Sequence, residues 1–500
     1  MINIYIDPSI NKIKIITDDP SVKCLLEFKR TENKYVPWVK QWRTMEVITK
    51  LYDNKRLTPV NGIWTLELGL GWASYIANIF KNFISQEEYF NILKYIMEDS
   101  YPITPFPGLR DYQNSDILHI LKYKRALMQV NTGYGKTQII ATLTNYAYSL
   151  GKKVLIVTPG KKAQDEVVKR CKTLFNLDIP NKDLSLNRLI TSGIINSKRY
   201  KDPEESKKFK ELLATYDWLL VDEVEYTIND GGKYIFDNLT GCTNMYFFSG
   251  TADKYSGKMI TFANGIDDTV LLNKDMIKYT GPALVYRLPQ NLDIDFITIK
   301  TQALNNIKFS ESDEKEDGNI FNVIMTKIWT DPGISELVVK IAKKYPRLYI
   351  PINNLTTILN SWINDYWLGV FRILLVCGVG SGYIYYDLAG NKIELTLEEA
   401  CDYIKNGLVD IIPSTSAGFR ALDFPNLESA LIISNNMAGQ VLQAVGRVAR
   451  SKHMNIITLD PMFPKKIPVF SKGGEKRDEL MREFYKYCNI KDITINENNL

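Results

Sequence analysis

From Leu109 onward the chain alternates short, uncharged and largely apolar runs with amphipathic stretches, and no other feature constrains its fold as strongly. Ala126 to Val130, Val154 to Val157, Trp218 to Val221 and Met245 to Phe248 are such runs, while Lys136 to Leu150 and Lys161 to Leu174 carry apolar residues at helical spacing. A brief run that is apolar on both faces suits a strand covered on both sides, and strands alternating with helices predict a parallel, doubly wound sheet. Ligands of such a sheet lie at the carboxyl ends of its strands. The pattern resumes after about residue 280, with strands expected at Leu348 to Pro351, Ile373 to Cys377, Val409 to Ile412 and Ala430 to Ile433. Thr396 and Glu399 have the spacing of a capping box, so they open a helix that Gly407 can close.

A chain of 500 residues is too long for one hydrophobic core. Ile4 to Ile6 and Lys12 to Ile16 read as strands, Tyr35 to Tyr52 is rich in β-branched and aromatic residues, and Trp72 to Phe83 reads as a helix. The proline-rich YPITPFPG at 101–108 then makes a stiff connection. The expected division is a small α+β accessory domain at 1–98, a first parallel-sheet domain at 99–278, a second at 279–470 and a carboxyl-terminal helix at 471–500. The segment 465–488 suits a docking helix, or one that brings Lys465, Lys466 and Lys472 to nucleic acid. SESDEKEDG at 310–318 reads as a solvated acidic loop.

Charge and cysteine usage narrow the function classes. The net charge of +5 says little, but residues 28–56 hold eight basic groups against three acidic ones, so the basic excess is local. Within it, Tyr35, Trp38 and Trp42 interleave with Lys34, Lys40 and Arg43, a composition that suits phosphate contacts beside stacking platforms and equally suits a small aromatic core. The six cysteines form no CxxC pair and only two histidines occur, which argues against zinc and against a disulfide framework. No basic leader precedes an apolar core at the amino terminus, and no run reaches the roughly 20 apolar residues of a membrane helix. A cytoplasmic protein with no membrane partner is expected, in the host cell's cytoplasm if the chain is viral.

Three elements carry chemistry. NTGYGKT, residues 131–137, lies between a predicted strand and a predicted helix, where backbone N–H groups, the helix dipole and the Lys136 ammonium can surround a polyphosphate and Thr137 can ligate Mg²⁺. GYGKT alone would also suit an ordinary strand-to-helix turn, and Val130 stands where the usual spacing has its first glycine. VDEVE, residues 221–225, follows an apolar run, so Asp222 and Glu223 sit at the end of a buried strand, one acid to hold Mg²⁺ and the next to orient water. In QAVGRVAR, residues 443–450, Arg447 and Arg450 share a helix face. Such groups can reach a γ-phosphate, where an arginine finger contributes roughly 10³ to 10⁵ in rate. A solvated basic helix is the bland alternative, weakened by Gly446, since a mid-helix glycine costs ~1 kcal/mol.

Taken in order over about residues 105–455, these motifs resemble the superfamily 2 helicases, which have two RecA-like domains. LRDYQ at 109–113 is similar to their adenine-reading segment, NTGYGKT to motif I, TPGKKAQ at 158–164 to motif Ia and LITS at 189–192 to motif Ib. VDEVE is similar to motif II, SGTA at 249–252 to motif III, STSAGFRALD at 414–423 to motif V and QAVGRVAR to motif VI. Many relatives have alanine at the Val130 position. Glu225 departs from the usual DEAH, DEAD or DECH, Ala421 replaces a glycine of motif V, and Tyr134 is bulkier than the common serine. The basic, aromatic stretch upstream of the core further resembles the amino-terminal domain of UvsW-type phage recombination helicases.

The resemblance implies an α/β fold of two tandem RecA-like parallel-sheet domains with a small α+β amino-terminal domain, and ATP with Mg²⁺ as cofactors. It implies that Tyr112 and Gln113 meet the base, that Asn131, Thr132, Gly133, Tyr134, Gly135, Lys136 and Thr137 cradle the phosphates, and that Asp423 and Gln443 line the nucleotide. Thr137 and Asp222 would hold Mg²⁺, Glu223 would activate water, and Arg447 and Arg450 would complete catalysis when the two domains close on ATP. Thr158, Pro159, Thr191 and Thr415 would contact nucleic acid, joined by Lys40 and Arg43. The implied activity is that of an ATP-hydrolysing, monomeric DNA helicase or translocase acting on single-stranded and branched DNA in recombination, replication and repair. An RNA helicase with the same core, or an annealing or binding protein regulated by ATP, are the alternatives.

Overall fold

The computed structural model describes all residues other than 1, 8–10, 37–40, 54–57, 131–132, 159–160, 180–202, 229, 251–273, 282, 288, 308–325, 353–358, 377–381, 416–426, 434–444, 447–452, 463–477 and 480. The chain divides into two compact units, one of Met1–Val130 with Gly135–Arg287 and the other of Asn131–Tyr134 with Leu288–Leu500.

The first unit opens with β1 (Ile2–Asp7) and β2 (Lys12–Thr17), continues through a hairpin of β3 (Glu27–Val36) and β4 (Gln41–Lys50), and returns as β5 (Trp64–Gly69). β1, β2 and β5 pair antiparallel, with Ile4 opposite Ile15 and Ile15 opposite Leu66. Period-two alternation explains the sheet, because Ile13, Ile15 and Leu66 are fully buried while Lys12 and Lys14 point outward to Glu67. Two helices follow, α1 (Ala73–Phe80) and α2 (Gln86–Ile96). α2 starts at a capping box in which Ser85 Oγ accepts from Glu88 N–H at 3.1 Å and Glu88 accepts from Ser85 N–H at 3.0 Å.

After α3 (Asp111–Ile120) comes the predicted parallel sheet, made of β6 (Arg125–Val130), β7 (Val154–Val157), β8 (Trp218–Val221), β9 (Asn244–Ser249) and β10 (Ala283–Arg287). Its order is β10-β6-β9-β8-β7, and every pairing is parallel. β6 to β9 are covered on both faces, as their apolar runs require, whereas the edge strand β10 is half-exposed; α4 (Lys136–Ser149) and α5 (Lys161–Phe175) are among the connecting helices. The sequence reading ended this domain at residue 278. β10 carries it to Arg287, because after α6 (Lys274–Thr280) the chain returns beside β6 with Arg287 in register with Val130.

The amino-terminal lobe and the parallel sheet share one apolar core, in which Ile13, Leu66, Trp72 and Phe80 join Leu127, Leu219, Phe247 and Ile277. The seam is tight. A Cβ on Gly71 would lie 1.9 Å from the Ile277 carbonyl oxygen, so only glycine lets the two backbones approach this closely. Half-buried Arg125 crosses the seam, donating to Asn11 Oδ1 at 2.9 Å and to the Tyr279 carbonyl, and desolvation lowers its pKa to about 10.

The second unit is built on one nine-stranded sheet. Its strands are β11 (Gln290–Thr301), β12 (Leu348–Ile352), β13 (Ile373–Val376), β14 (Tyr383–Tyr386), β15 (Lys392–Leu395), β16 (Ile411–Thr415), β17 (Ser429–Ile432), β18 (His453–Pro461) and β19 (Tyr487–Asn496). They run in the order β15-β14-β13-β16-β12-β17-β18-β11-β19, parallel except for the β13-β14-β15 meander at one edge. The predicted capping box opens a helix at Leu397–Lys405, and Gly407 follows it with φ 68°. The carboxyl-terminal segment differs from expectation. Helical residues occur at 478–479 and 481–484, but the chain then becomes β19, which pairs parallel to β11 with Ile493 opposite Ile297. An alternation that half-buries Ile490, Ile493 and Ile495 makes an edge strand the better use of that sequence.

Candidate nucleotide-binding site

Three strand ends of the first sheet bring the site together. β6 ends at Val130, which is fully buried, so the residue occupying the first-glycine place is core of the strand and has no part in the turn. Asn131 and Thr132 lie outside the described residues. Gly133 and Gly135 follow with φ of 85° and 95°, a left-handed geometry that favours glycine. Gly135 has a second reason to lack a side chain: a Cβ there would lie 2.5 Å from Gln113 Nε2. Tyr134, between them, is buried. α4 begins at Lys136, directing its free N–H groups and positive dipole end at the loop, with half-buried Thr137 next.

β8 ends in the paired acids. Asp222 is buried and its Oδ1 accepts from Glu223 N–H at 3.1 Å. Glu223 takes φ 47° and ψ 59°, a left-handed conformation that costs a non-glycine residue roughly 1–2 kcal/mol and turns its carboxylate toward the loop. There Glu223 Oε1 meets Lys136 Nζ at 2.6 Å. Burial works against the ammonium charge, but the Glu223 and Asp222 carboxylates outweigh it and hold the Lys136 pKa above its ordinary value. Glu223 Oε2 is also 3.4 Å from the Gly250 N–H, just beyond β9.

Glu225, the departure from the usual fourth motif II residue, is buried and accepts a hydrogen bond from Ser249 Oγ at 2.6 Å. Burial, reinforced by the Glu223 charge, pushes its carboxyl up to about 8. The chain thus links the acids after β8 to the end of β9 through a carboxyl group that holds its proton near neutrality. Sequence reasoning marked Glu225 as unusual but had no signal for its partner, because the contact depends on β8 and β9 lying side by side.

Gln113 is buried on the first turn of α3, and its Oε1 accepts from the Arg110 N–H at 2.9 Å. Tyr112 is exposed, with its hydroxyl 2.5 Å from Arg110 Nη1. The approach to α3 is stitched down by Asn114, which accepts from Phe106 N–H at 2.7 Å, and by Gln138, which donates to the Gly108 carbonyl.

Among the expected nucleic-acid contacts, Thr158 is buried just after β7 and Thr415 ends β16. Arg43 lies on β4 in register with Lys34. Lys40, Pro159, Thr191, Asp423, Gln443, Arg447 and Arg450 lie outside the described residues. The structure therefore brings together Gln113, Gly135, Lys136, Asp222 and Glu223.

Among the described residues no three His, Cys, Asp or Glu side chains gather as a metal site. A magnesium ion carried by nucleotide phosphates needs only one or two carboxylates, so Asp222 with the Thr137 hydroxyl fits that donor set.

A family model described as "Type III restriction enzyme, res subunit" matches residues 107–239, which span α3, the loop and the paired acids. Among solved structures, T4 UvsW is similar at 15% identity over 99% of both chains, with a TM-score of 0.35. Saccharomyces cerevisiae Dbp5 bound to RNA and ADP BeF3 is similar at 10% identity over 78% of this chain and 95% of that one, with a TM-score of 0.45. The type ISP restriction-modification enzyme LlaBIII bound to DNA matches at 12% identity over 79% of this chain and 32% of that one, with a TM-score of 0.48. No curated protein matches the sequence significantly. Residues 107–239 are thus similar to that restriction-enzyme family, while the topology of the chain is a five-stranded parallel sheet and a nine-stranded, mostly parallel sheet beside a small antiparallel amino-terminal sheet.

Proposed function

We propose that the protein is an ATP-dependent DNA helicase or translocase that remodels single-stranded and branched DNA. The observation that carries the reading is the Lys136–Glu223 pair at 2.6 Å, which joins a glycine loop on one strand end to paired acids on another within one parallel sheet. A bound triphosphate would compete for Lys136. Its phosphates would draw the ammonium away from Glu223 and free that carboxylate to accept a proton from the attacking water. Bound Mg²⁺ would neutralise phosphate charge, held by Asp222 and the Thr137 hydroxyl. Gln113 would meet the base at the edge of the loop. Arg447 and Arg450, assigned from sequence alone, would contact the γ-phosphate, and Asp423 and Gln443 would line the nucleotide.

The local excess of basic residues around β3 and β4 supports nucleic acid as the partner, with Arg43 and Lys40 as phosphate contacts and Thr158, Pro159, Thr191 and Thr415 along the strand. The test is ATP hydrolysis measured in parallel with single-stranded DNA, forked DNA, a four-way junction and RNA. Stimulation by the DNA forms supports the reading. Stimulation by RNA alone would replace DNA with RNA as the substrate, and no stimulation by any of them would end the motor reading.

A further inference from the structure

We propose that the Asp116–Arg287 ion pair positions the base-reading end of the nucleotide site, by locking α3 to the strand that flanks the phosphate loop. The inference rests on the nucleotide-site reading above. Asp116 is buried, 4% exposed, on the face of α3 one turn beyond Gln113. Arg287 is the last residue of β10 and clasps it with both arms, Nε at 2.9 Å and Nη2 at 2.6 Å. A forked pair of this kind fixes orientation as well as distance.

The pair closes a ring of contacts around the loop. Arg287 stands in register with Val130, the residue at which the chain leaves β6 to enter the loop. Gly135, where the chain leaves the loop, lies against Gln113. Gln113 and Asp116 belong to the same helix, so the helix touches the loop's exit at one turn and the neighbour of the loop's entrance at the next. The pair itself lines an open pocket of about 580 Å³ between α3 and β10, with Ser115, His119, Lys122 and Leu284 around it. The Arg287 side chain is 46% exposed, so solvent screens its charge and the consequence of the clasp is the orientation its two arms impose.

Arg287 and Asp116 touch neither phosphate nor base in this account, and they act through Gln113. The test compares the full-length protein with Arg287→Gln, Arg287→Lys and the Asp116→Asn/Arg287→Gln double variant, in hydrolysis of ATP and CTP and in binding of a fluorescent ATP analogue. The expected result for Arg287→Gln is a KM for ATP raised about tenfold with kcat within about two-fold, and a narrowed preference for ATP over CTP. Arg287→Lys should fall between it and the wild type. The double variant, which leaves no buried carboxylate unpaired, should fold and still lose base preference. Unchanged KM and preference in a folded Arg287→Gln or double variant would overturn the inference, as would equal losses for ATP and CTP carried by kcat. A wild type that hydrolyses ATP and CTP alike would overturn it while leaving the nucleotide site standing. A wild type that neither binds nor hydrolyses nucleotide would remove both.

Discussion

At the scale of single residues, the site is a cluster of three carboxyl groups around one ammonium, and the charges decide how it behaves. Lys136 stays protonated because Glu223 and Asp222 outweigh the cost of burying it, whereas Glu225 is buried beside a like charge and keeps its proton. The sign of the resulting pH dependence follows. Glu225 titrates above its ordinary value of 4.5, so from there to about 8 the folded protein holds a proton that the unfolded chain has released. Stability therefore falls as pH rises through that interval. Glu225→Gln, which keeps a neutral partner for Ser249, should melt near the wild-type temperature at pH 5 and clearly above it at pH 8 without nucleotide. Parallel melting curves across the range would show that Glu225 is ionised throughout. The positions of Lys136, Asp222 and Glu223 at the ends of buried strands were legible in sequence because each follows an apolar run by a few residues. The clasp of Asp116 by Arg287 was not, since its partners lie 171 residues apart and neither belongs to a motif.

At the scale of elements, strands β6 to β9 of the parallel sheet were legible as contiguous apolar runs and β2 as a clean alternation, whereas β19 carried only a weak pattern. β8 reads WLLV and cannot be a surface helix. β19 reads YCNIKDITIN, with a charged pair in its middle, and its only signal is a weak alternation that pays off against β11. The neighbouring segment carried a stronger helical spacing, which is why a helix was expected to the end of the chain. β10 escaped for a different reason, since an edge strand of five residues after a helix leaves little periodicity to read. The most exacting junction is the approach of Gly71 to α6. Gly71→Ala would put a methyl group 1.9 Å from the Ile277 carbonyl oxygen and under 3 Å from the Lys278 oxygen and the Gly281 nitrogen, all of them backbone atoms that cannot swing aside. The expected cost is about 1–3 kcal/mol, read as a fall in denaturation midpoint, and an unchanged midpoint would contradict the observed packing.

At the scale of the whole molecule, the first unit is more unified than its sequence suggests. The proline-rich 101–108 stretch looked like a domain boundary, yet the residues before it share a core with the sheet after it. Composition marks where a chain turns and cannot show whether the two sides stay packed together. A fragment of residues 1–98 should therefore lack cooperative unfolding, and a fragment of residues 1–287 should show a single transition; a cooperatively folded 1–98 fragment would contradict the shared core. The motor reading depends throughout on Lys136 exchanging Glu223 for phosphate. That exchange is tested most directly by steady-state ATP hydrolysis at saturating single-stranded DNA for the full-length protein and for Lys136→Ala. The account predicts DNA-stimulated turnover in the wild type and loss of nearly all of it in the variant. Equal turnover in the two proteins would contradict it.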